Sequence, residues 1–311
     1  MFDVLVSSPG RLSRYAPVRD RMDNQNMDHR KCLAVSPFTM PAALAAADQL
    51  LGGNPTWSGD HENPEQIAWV EAFRRRAQLA AGMPEIRSHA AESAQRHVKW
   101  LRGEGWEAQI TQGGPNDIFL AATLNVVAKW PVAGRAYTEG STDRVALKNA
   151  VYRSETGSKE HPVVEVVTQH PNFSFCFQQV DEAPMSTAAL MAHALDMASC
   201  SANEEVDIDF PMVDLLVRSE ARYMLGLSSG MNVVRQAAEQ LRLELNEVGG
   251  RASAAAEITI TRGMSMARII KIDGPFIVAI CRNGTPKDID KVMFAAHCDR
   301  SVWRKPAEGR I

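Results

Sequence analysis

Eight histidines and five cysteines, with scattered serines and carboxylates, are the residues of this chain able to do chemistry, so their spacing is the first test of function. His89 and His97 are the one histidine pair that the pattern places on a shared helix face, but no Asp or Glu stands beside them at ligand spacing, and no metal site is expected. Ser228, Ser229 and Gly230, with Gly226 before them, do not form the G-x-S-x-G turn that presents a nucleophilic serine. Neither a G-x-G-x-x-G nor a Walker phosphate loop occurs. Cys32, Cys176, Cys200, Cys281 and Cys298 include no C-x-x-C and suggest no disulfide framework; buried free thiols in a reducing compartment are expected. Glu204, Glu205, Asp207 and Asp209 alternate with Val206 and Ile208, the signature of a strand's solvated face. Nothing here demands catalysis, and neither an enzyme nor a cofactor is expected.

The most informative chemistry lies in the backbone. Leu241, Leu243 and Leu245 alternate with Arg242, Glu244 and Asn246, the period of two of a half-buried strand. Gly249 and Gly250 break it, since glycine permits backbone angles that other residues resist, and a turn or hinge is expected there. Ala252, Ser253, Ala254, Ala255 and Ala256 follow, with almost no side chain. On local grounds this tract is either an alanine-rich helix start or a strand small enough to slide between two others. The β-branched run Glu257–Thr261 and the strand candidates Ala267–Ile272 and Pro275–Cys281 shift the balance to strand.

The remaining elements set the class. Asn63, Pro64 and Gln66 precede Ile67, Trp69, Val70 and Phe73 as a capped amphipathic helix, and Ser186–Ala198 is a second helix candidate. Further strands are expected over Ile118–Val127, Val145–Tyr152, Val163–Thr168, Phe173–Val180 and Val206–Phe210. Helices early and strands late argue for an α+β fold with a mostly antiparallel sheet. Residues 1–30 are polar and carry Pro9 and Pro17, so a poorly ordered lead-in is expected there, before a single domain over 31–311.

At 311 residues and 45% hydrophobic, the chain suffices for one large or two ordinary domains. A formal net charge of -3 gives no electrostatic case for nucleic acid or acidic lipid. No apolar run approaches the roughly 20 residues that span a bilayer. The start at Met1 lacks the charged and apolar regions of a leader, which favours an intracellular protein.

The order of these elements resembles the serpin family, large inhibitors that trap serine proteases by a conformational change. The family hinge, Asn-Glu-Glu-Gly-Thr-Glu and then alanines, is echoed by Asn246-Glu247-Val248-Gly249-Gly250-Arg251 and Ala252–Ala256. An Asp-x-Pro-Phe strand is matched by Asp273-Gly274-Pro275-Phe276, and a final Leu-Phe-x-Gly-x-Val strand, less well, by Met293–Cys298. Val35–Leu44 is similar to the Phe-Ser-Pro helix start, with Ser36 and Pro37 as cap and first-turn residue. Glu92–Leu101 resembles the helix in front of the main sheet, Leu120–Trp130 the strand after it, and Glu204–Val213 a short strand ending at Phe210-Pro211. The match spans about Lys31–Asp299 and implies helices on a large, mostly antiparallel central sheet, two smaller sheets and an exposed reactive loop. The helical region 52–91 is trimmed relative to the family.

The resemblance implies that the segment between Gly249 and Pro275 is bait for a serine protease, and that after cleavage its N-terminal part enters the central sheet. Spacing back from Pro275 puts the reactive bond at Met264-Ser265, suited to an elastase-like or chymotrypsin-like enzyme. Spacing forward from Gly249 gives Gly263-Met264, and a trypsin-like enzyme would cut Arg262-Gly263. The implied hinge is Glu247, Gly249, Gly250, Arg251, Ala252, Ser253, Ala254, Ala255 and Ala256. Gly250 or Arg251 stands where the family has Thr or Ser, and Thr39, Ala122 and Glu239 replace a polar Ser, Asn and His network. A floppy glycine or a buried arginine opposes insertion. Weak or absent inhibition is therefore expected, with a working inhibitor as the alternative. A serine protease is the partner if inhibition holds, and in either case a monomer without nucleic-acid or membrane partners is expected. The family is often extracellular.

Overall fold

The computed structural model describes residues 32–53, 57–59, 70, 75–106, 118–153, 161–200, 202–220, 224–230, 232–234, 237–250, 268–284 and 289–306. The expected lead-in over 1–30, most of the helix candidate at 63–73 and the strand at 257–261 lie outside these residues. The elements begin with β1 (Ala34–Val35), α1 (Thr39–Leu50), α2 (residues 75–81), β2 (Ile86–Ala91), α3 (Ala94–Gly103) and β3 (Phe119–Leu124). There follow β4 (Ala128–Lys129), β5 (Arg135–Glu139), β6 (Thr142–Arg153), β7 (Val163–Val167), β8 (Phe173–Gln179) and α4 (Thr187–Ser199). Then come β9 (Ala202–Pro211), β10 (Val213–Glu220), the short hairpin β11 (Ser228–Ser229) and β12 (Asn232–Val233), and β13 (Ala238–Leu245). The order closes with β14 (Gly249–Gly250), β15 (Ile269–Lys271), β16 (Phe276–Arg282) and β17 (Val292–Cys298).

Nine strands make one sheet in the order β1-β17-β16-β8-β7-β6-β9-β15, with β5 paired to β6. Every pairing in it is antiparallel except β15 on β9. The continuous apolar run of β16 has a physical reason: the strand is covered on both faces, as central strands must be. Phe276, Val278 and Ile280 face one core, while Ile277, Ala279 and Cys281 face a second core under α4. α4 starts cleanly because the Ser186 hydroxyl accepts from the Ala189 N–H at 3.1 Å. α1 starts at Thr39, one turn later than the expected cap, and Ser36 instead accepts from the Phe38 N–H at 3.4 Å.

Four strands form a second sheet, β10-β13-β14-β4, and β2 pairs with β3 separately. The first core is shared between the two large sheets: Leu241, Leu243 and Leu245 of β13 and Val213 and Leu215 of β10 meet residues of β6, β8, β9 and β16. At its centre Phe177 lies 4.8 Å from Phe210 and 6.4 Å from Phe276, centroid to centroid, and Trp130 stands edge-on to Phe175 at 5.2 Å. β10 was not among the expected strands, although Val213, Leu215 and Val217 alternate with Asp214, Leu216 and Arg218. β2, with its mixed Ile-Arg-Ser-His-Ala-Ala sequence, carries no such period and gains its strand form from pairing with β3.

Candidate functional site

β13 runs in register with β10 from Leu245 opposite Val213 to Ala238 opposite Glu220. The chain then reverses at Asn246, not at the glycines. The Asn246 side-chain oxygen accepts from the Val248 N–H at 2.8 Å and the Gly249 N–H at 3.1 Å, an asparagine turn, and the Asn246 N–H donates to the Gly249 carbonyl at 3.0 Å. Trp130 holds this turn from the core. Its indole N–H donates to the Asn246 carbonyl at 2.9 Å and its backbone N–H to the Val248 carbonyl at 3.1 Å, while Gly134 donates to the carbonyl of Glu247 at 2.7 Å.

Gly249 and Gly250 are paired as a short strand. Gly250 lies opposite Leu245 of β13 on one side and Ala128 of β4 on the other, and Gly249 lies opposite Lys129. What requires glycine is space, since neither residue adopts a positive φ. A Cβ on Gly249 would stand 2.3 Å from the Ala128 carbonyl oxygen, and one on Gly250 would stand 2.6 Å from the Phe175 ring. This corrects the reading of the pair as a freely turning break. Of the other expected hinge residues, Glu247 is half-buried at the tip of the turn, whereas Arg251 to Ala256 and both expected bonds, Met264-Ser265 and Arg262-Gly263, lie outside the described residues.

The glycine strand stands at the mouth of a cleft. Among the described residues no ladder joins β3 to β13; β14 bridges β13 at one end to β4, the short strand that follows β3. Thr123, Leu124, Asn125 and Val126 line one wall, residues Gln240 to Glu244 the other, and Phe175, Ile280 and Phe294 the floor. Glu104 and Trp106, which follow α3, complete it. Leu241 and Leu243 turn toward the core; Arg242 and Glu244 turn away from it. Glu244 is only 1% exposed and pairs with Arg242, which also reaches Asp214 at 3.5 Å.

α3 packs on β2 and β3. His89 and His97 do not share a helix face: His89 is on β2 and His97 on α3, with their rings 6.1 Å apart and His89 stacked on Trp100 at 5.1 Å. Burial, with the nearby His89, lowers the His97 pKa to about 4. Among the described residues no group of three or more His, Cys, Asp or Glu side chains is placed to hold a metal.

On the far side of residues 251–267 the chain is anchored at β15. Arg144, buried on β6, donates to Asp209 at 2.8 Å and to the Ile272 carbonyl at 3.0 Å, and pairs with Asp273 at 3.3 Å. Lys271 closes the network on Glu139 at 2.8 Å. Burial opposes the Arg144 charge, yet the hydrogen bond and charge of Asp209 hold its pKa above the ordinary value. The hydrogen bond from Lys271 lowers the Glu139 pKa. Asp209, expected on a solvated face, is instead buried in this network, while Glu204 and Glu205 are exposed as expected.

No protein-family profile and no curated protein matches the sequence. Solved structures do. Serpin48 of the insect Tenebrio molitor matches with a TM-score of 0.53 at 14% identity, over 86% of this chain and 92% of that one. A thyroxine-binding globulin complex with thyroxine matches at 0.54 and 13%, over 86% and 92%. Tengpin, a thermophilic serpin in the native state, matches at 0.55 and 12%, over 88% and 89%. The chain has a serpin fold. Helices on a large, mostly antiparallel sheet are thus the α+β arrangement that the resemblance implied. The neighbours that share this fold are two serpins and a thyroxine-binding globulin.

Proposed function

We propose that this protein takes up the chain after Gly250 as a new strand between β3 and β13, and that it thereby acts on a serine protease that cuts the loop. The observation that carries this reading is the glycine strand, already paired on both sides at the mouth of the cleft. Carrying its two registers forward by one residue at a time sets Arg251 opposite Glu244, Ala252 between Leu243 and Val126, and Ala254 between Leu241 and Leu124. By the period of two, Ala252, Ala254 and Ala256 then fall on the same face as Gly250, the face that Leu241 and Leu243 turn to the core. Arg251 falls on the opposite face, beside a carboxylate.

Both hinge objections to insertion lose their force on this reading. Gly250 is held by pairing and by the ring beneath it, and Arg251 avoids the apolar core. In the reaction the protease serine attacks the carbonyl carbon of Met264, an acyl ester forms on its oxygen, and the Met264–Ser265 bond breaks as the new amine takes the proton. A trypsin-like enzyme would do the same at Arg262. Insertion must then outrun hydrolysis of the ester. The anchor at Arg144, Asp209 and Lys271 keeps β15 in place, so only the N-terminal part of the cut loop moves.

A second reading, weak or absent inhibition, is favoured by Ala122, which packs against the apolar cluster of Phe38, Ala42 and Met83 where a polar group is expected to steady the parting strands. The test is cleavage of the loop by a protease panel, read by SDS gel and by melting temperature. An SDS-resistant complex with a raised melting temperature supports inhibition. A raised melting temperature without a complex supports the second reading, and an unchanged one overturns insertion.

A further inference from the structure

Cys32 and Cys298 end up facing each other at the edge of the nine-stranded sheet. β1 pairs with β17 through Ala34 opposite Ala296 and Val35 opposite Ala295. The pairing runs one step further through the His297 N–H, which donates to the Leu33 carbonyl at 2.8 Å. The next position in this register sets Cys32 opposite Cys298. Hydrogen-bonded and non-hydrogen-bonded pairs alternate along such a ladder, and the Cys32–Cys298 position falls on the non-hydrogen-bonded kind, where opposed Cα atoms stand about 4.5 Å apart. That spacing lies within the range a disulfide spans, about 4.4–6.8 Å. The two side chains also share a face: Cys298 belongs to the core between the large sheets, and Cys32 packs against that same core.

Access is asymmetric in a way that suits stepwise oxidation. Cys32 is partly exposed, within 3.7 Å of the Ser301 hydroxyl, whereas Cys298 is fully buried. Burial raises both thiols above their ordinary pKa, and the Asp299 carboxylate beside them adds to this, so the reaction is slow at neutral pH and faster in alkali.

We propose that Cys32 and Cys298 are a site of oxidative cross-linking by low-molecular-weight disulfides of the glutathione type. The Cys32 thiolate attacks one sulfur of the oxidant, forming a mixed disulfide and releasing one thiolate. Cys298, deprotonated, then attacks the Cys32 sulfur, forms the protein disulfide and expels a second thiolate. The protein loses two protons and two electrons, and the oxidant becomes two thiols. The bond ties the edge strand β1 to β17 and closes a loop of most of the chain.

The experiment uses the full chain, incubated with oxidised glutathione at mildly alkaline pH, quenched in acid, alkylated and mapped by mass spectrometry, with melting temperature read in parallel. The expected result is a loss of two hydrogens, a cross-linked peptide pair containing Cys32 and Cys298, and a melting temperature raised by roughly 5 °C or more, reversed by dithiothreitol. Cys32→Ser, at a partly exposed position, should fold normally and show neither change. A persistent glutathione adduct on Cys32 without the cross-link would overturn the proposal. So would a bond that forms instead between Cys176 and Cys281, whose sulfurs lie 3.9 Å apart in the second core.

Discussion

The nine-stranded sheet and the four-stranded sheet share one core but treat their backbones differently. In the first, strand follows strand without a gap from β1 to β15, and its central strands are covered on both faces. In the second, β13 is paired along its whole length on the β10 side, while on the other side, among the described residues, it meets only β14 at one end. Backbone donors and acceptors on a strand edge are a standing opportunity for another strand. On the proposed function, the capacity for rearrangement lies in that cleft and the stability in the sheet beneath.

That contrast can be broken from either side. The largest effect is expected from Phe177→Ala in the closed sheet, where the ring is fully buried between Phe210 and Phe276. It should cost about 3–5 kcal/mol in chemical denaturation, yet leave the gain in melting temperature on loop cleavage unchanged. Next, a methyl at the mouth of the cleft should cost about 1–3 kcal/mol. Gly249→Ala should be worse than Gly250→Ala, because the first meets a backbone carbonyl and the second the edge of a phenyl ring.

A pH titration sharpens the contrast by acting on the split sheet. His97, on the buried face of α3, has a folded pKa of about 4 against an ordinary 6.5, so the unfolded chain binds more protons between those values. Its contribution is complete above pH 6.5 and is lost as pH falls through this window, by roughly 1–3 kcal/mol at pH 4. In His97→Gln that part of the acid loss should disappear in parallel denaturation series at pH 7 and pH 4. The smallest effect is expected at Glu244. In the intact protein Arg242 keeps Asp214 as a partner, so Glu244→Gln should change its melting temperature little. After cleavage it should remove about 1 kcal/mol of the gain, and the exchanged pair Glu244→Arg with Arg251→Glu should restore it.

Much of this was legible in the residues. The alternation of Leu241, Leu243 and Leu245, the apolar run of β16 and the helix at Thr187–Ser199 each follow from a local pattern, β17 followed from the family resemblance, and the structure has all of them. Other features depend on partners remote in sequence. β2 lacks a period because its strand form comes from β3. Asp209 shows an alternation typical of a wet face, but Arg144, sixty-five positions earlier, draws it into a buried network. The glycine pair suggested a special backbone, but its backbone is ordinary strand; the reason for glycine, a carbonyl of β4 and the ring of Phe175, is invisible without tertiary contacts. His89 and His97 looked like neighbours on one helix because their spacing fits one; the end of β2 falls between them.

The most direct test of the central claim is amide hydrogen exchange along the two walls of the cleft, residues 120–126 and 240–244, before and after cleavage of the loop. Insertion of the chain after Gly250 predicts that these amides gain protection while those of β16 and β17 stay as they were. Exchange on the two walls that is the same before and after cleavage would contradict it.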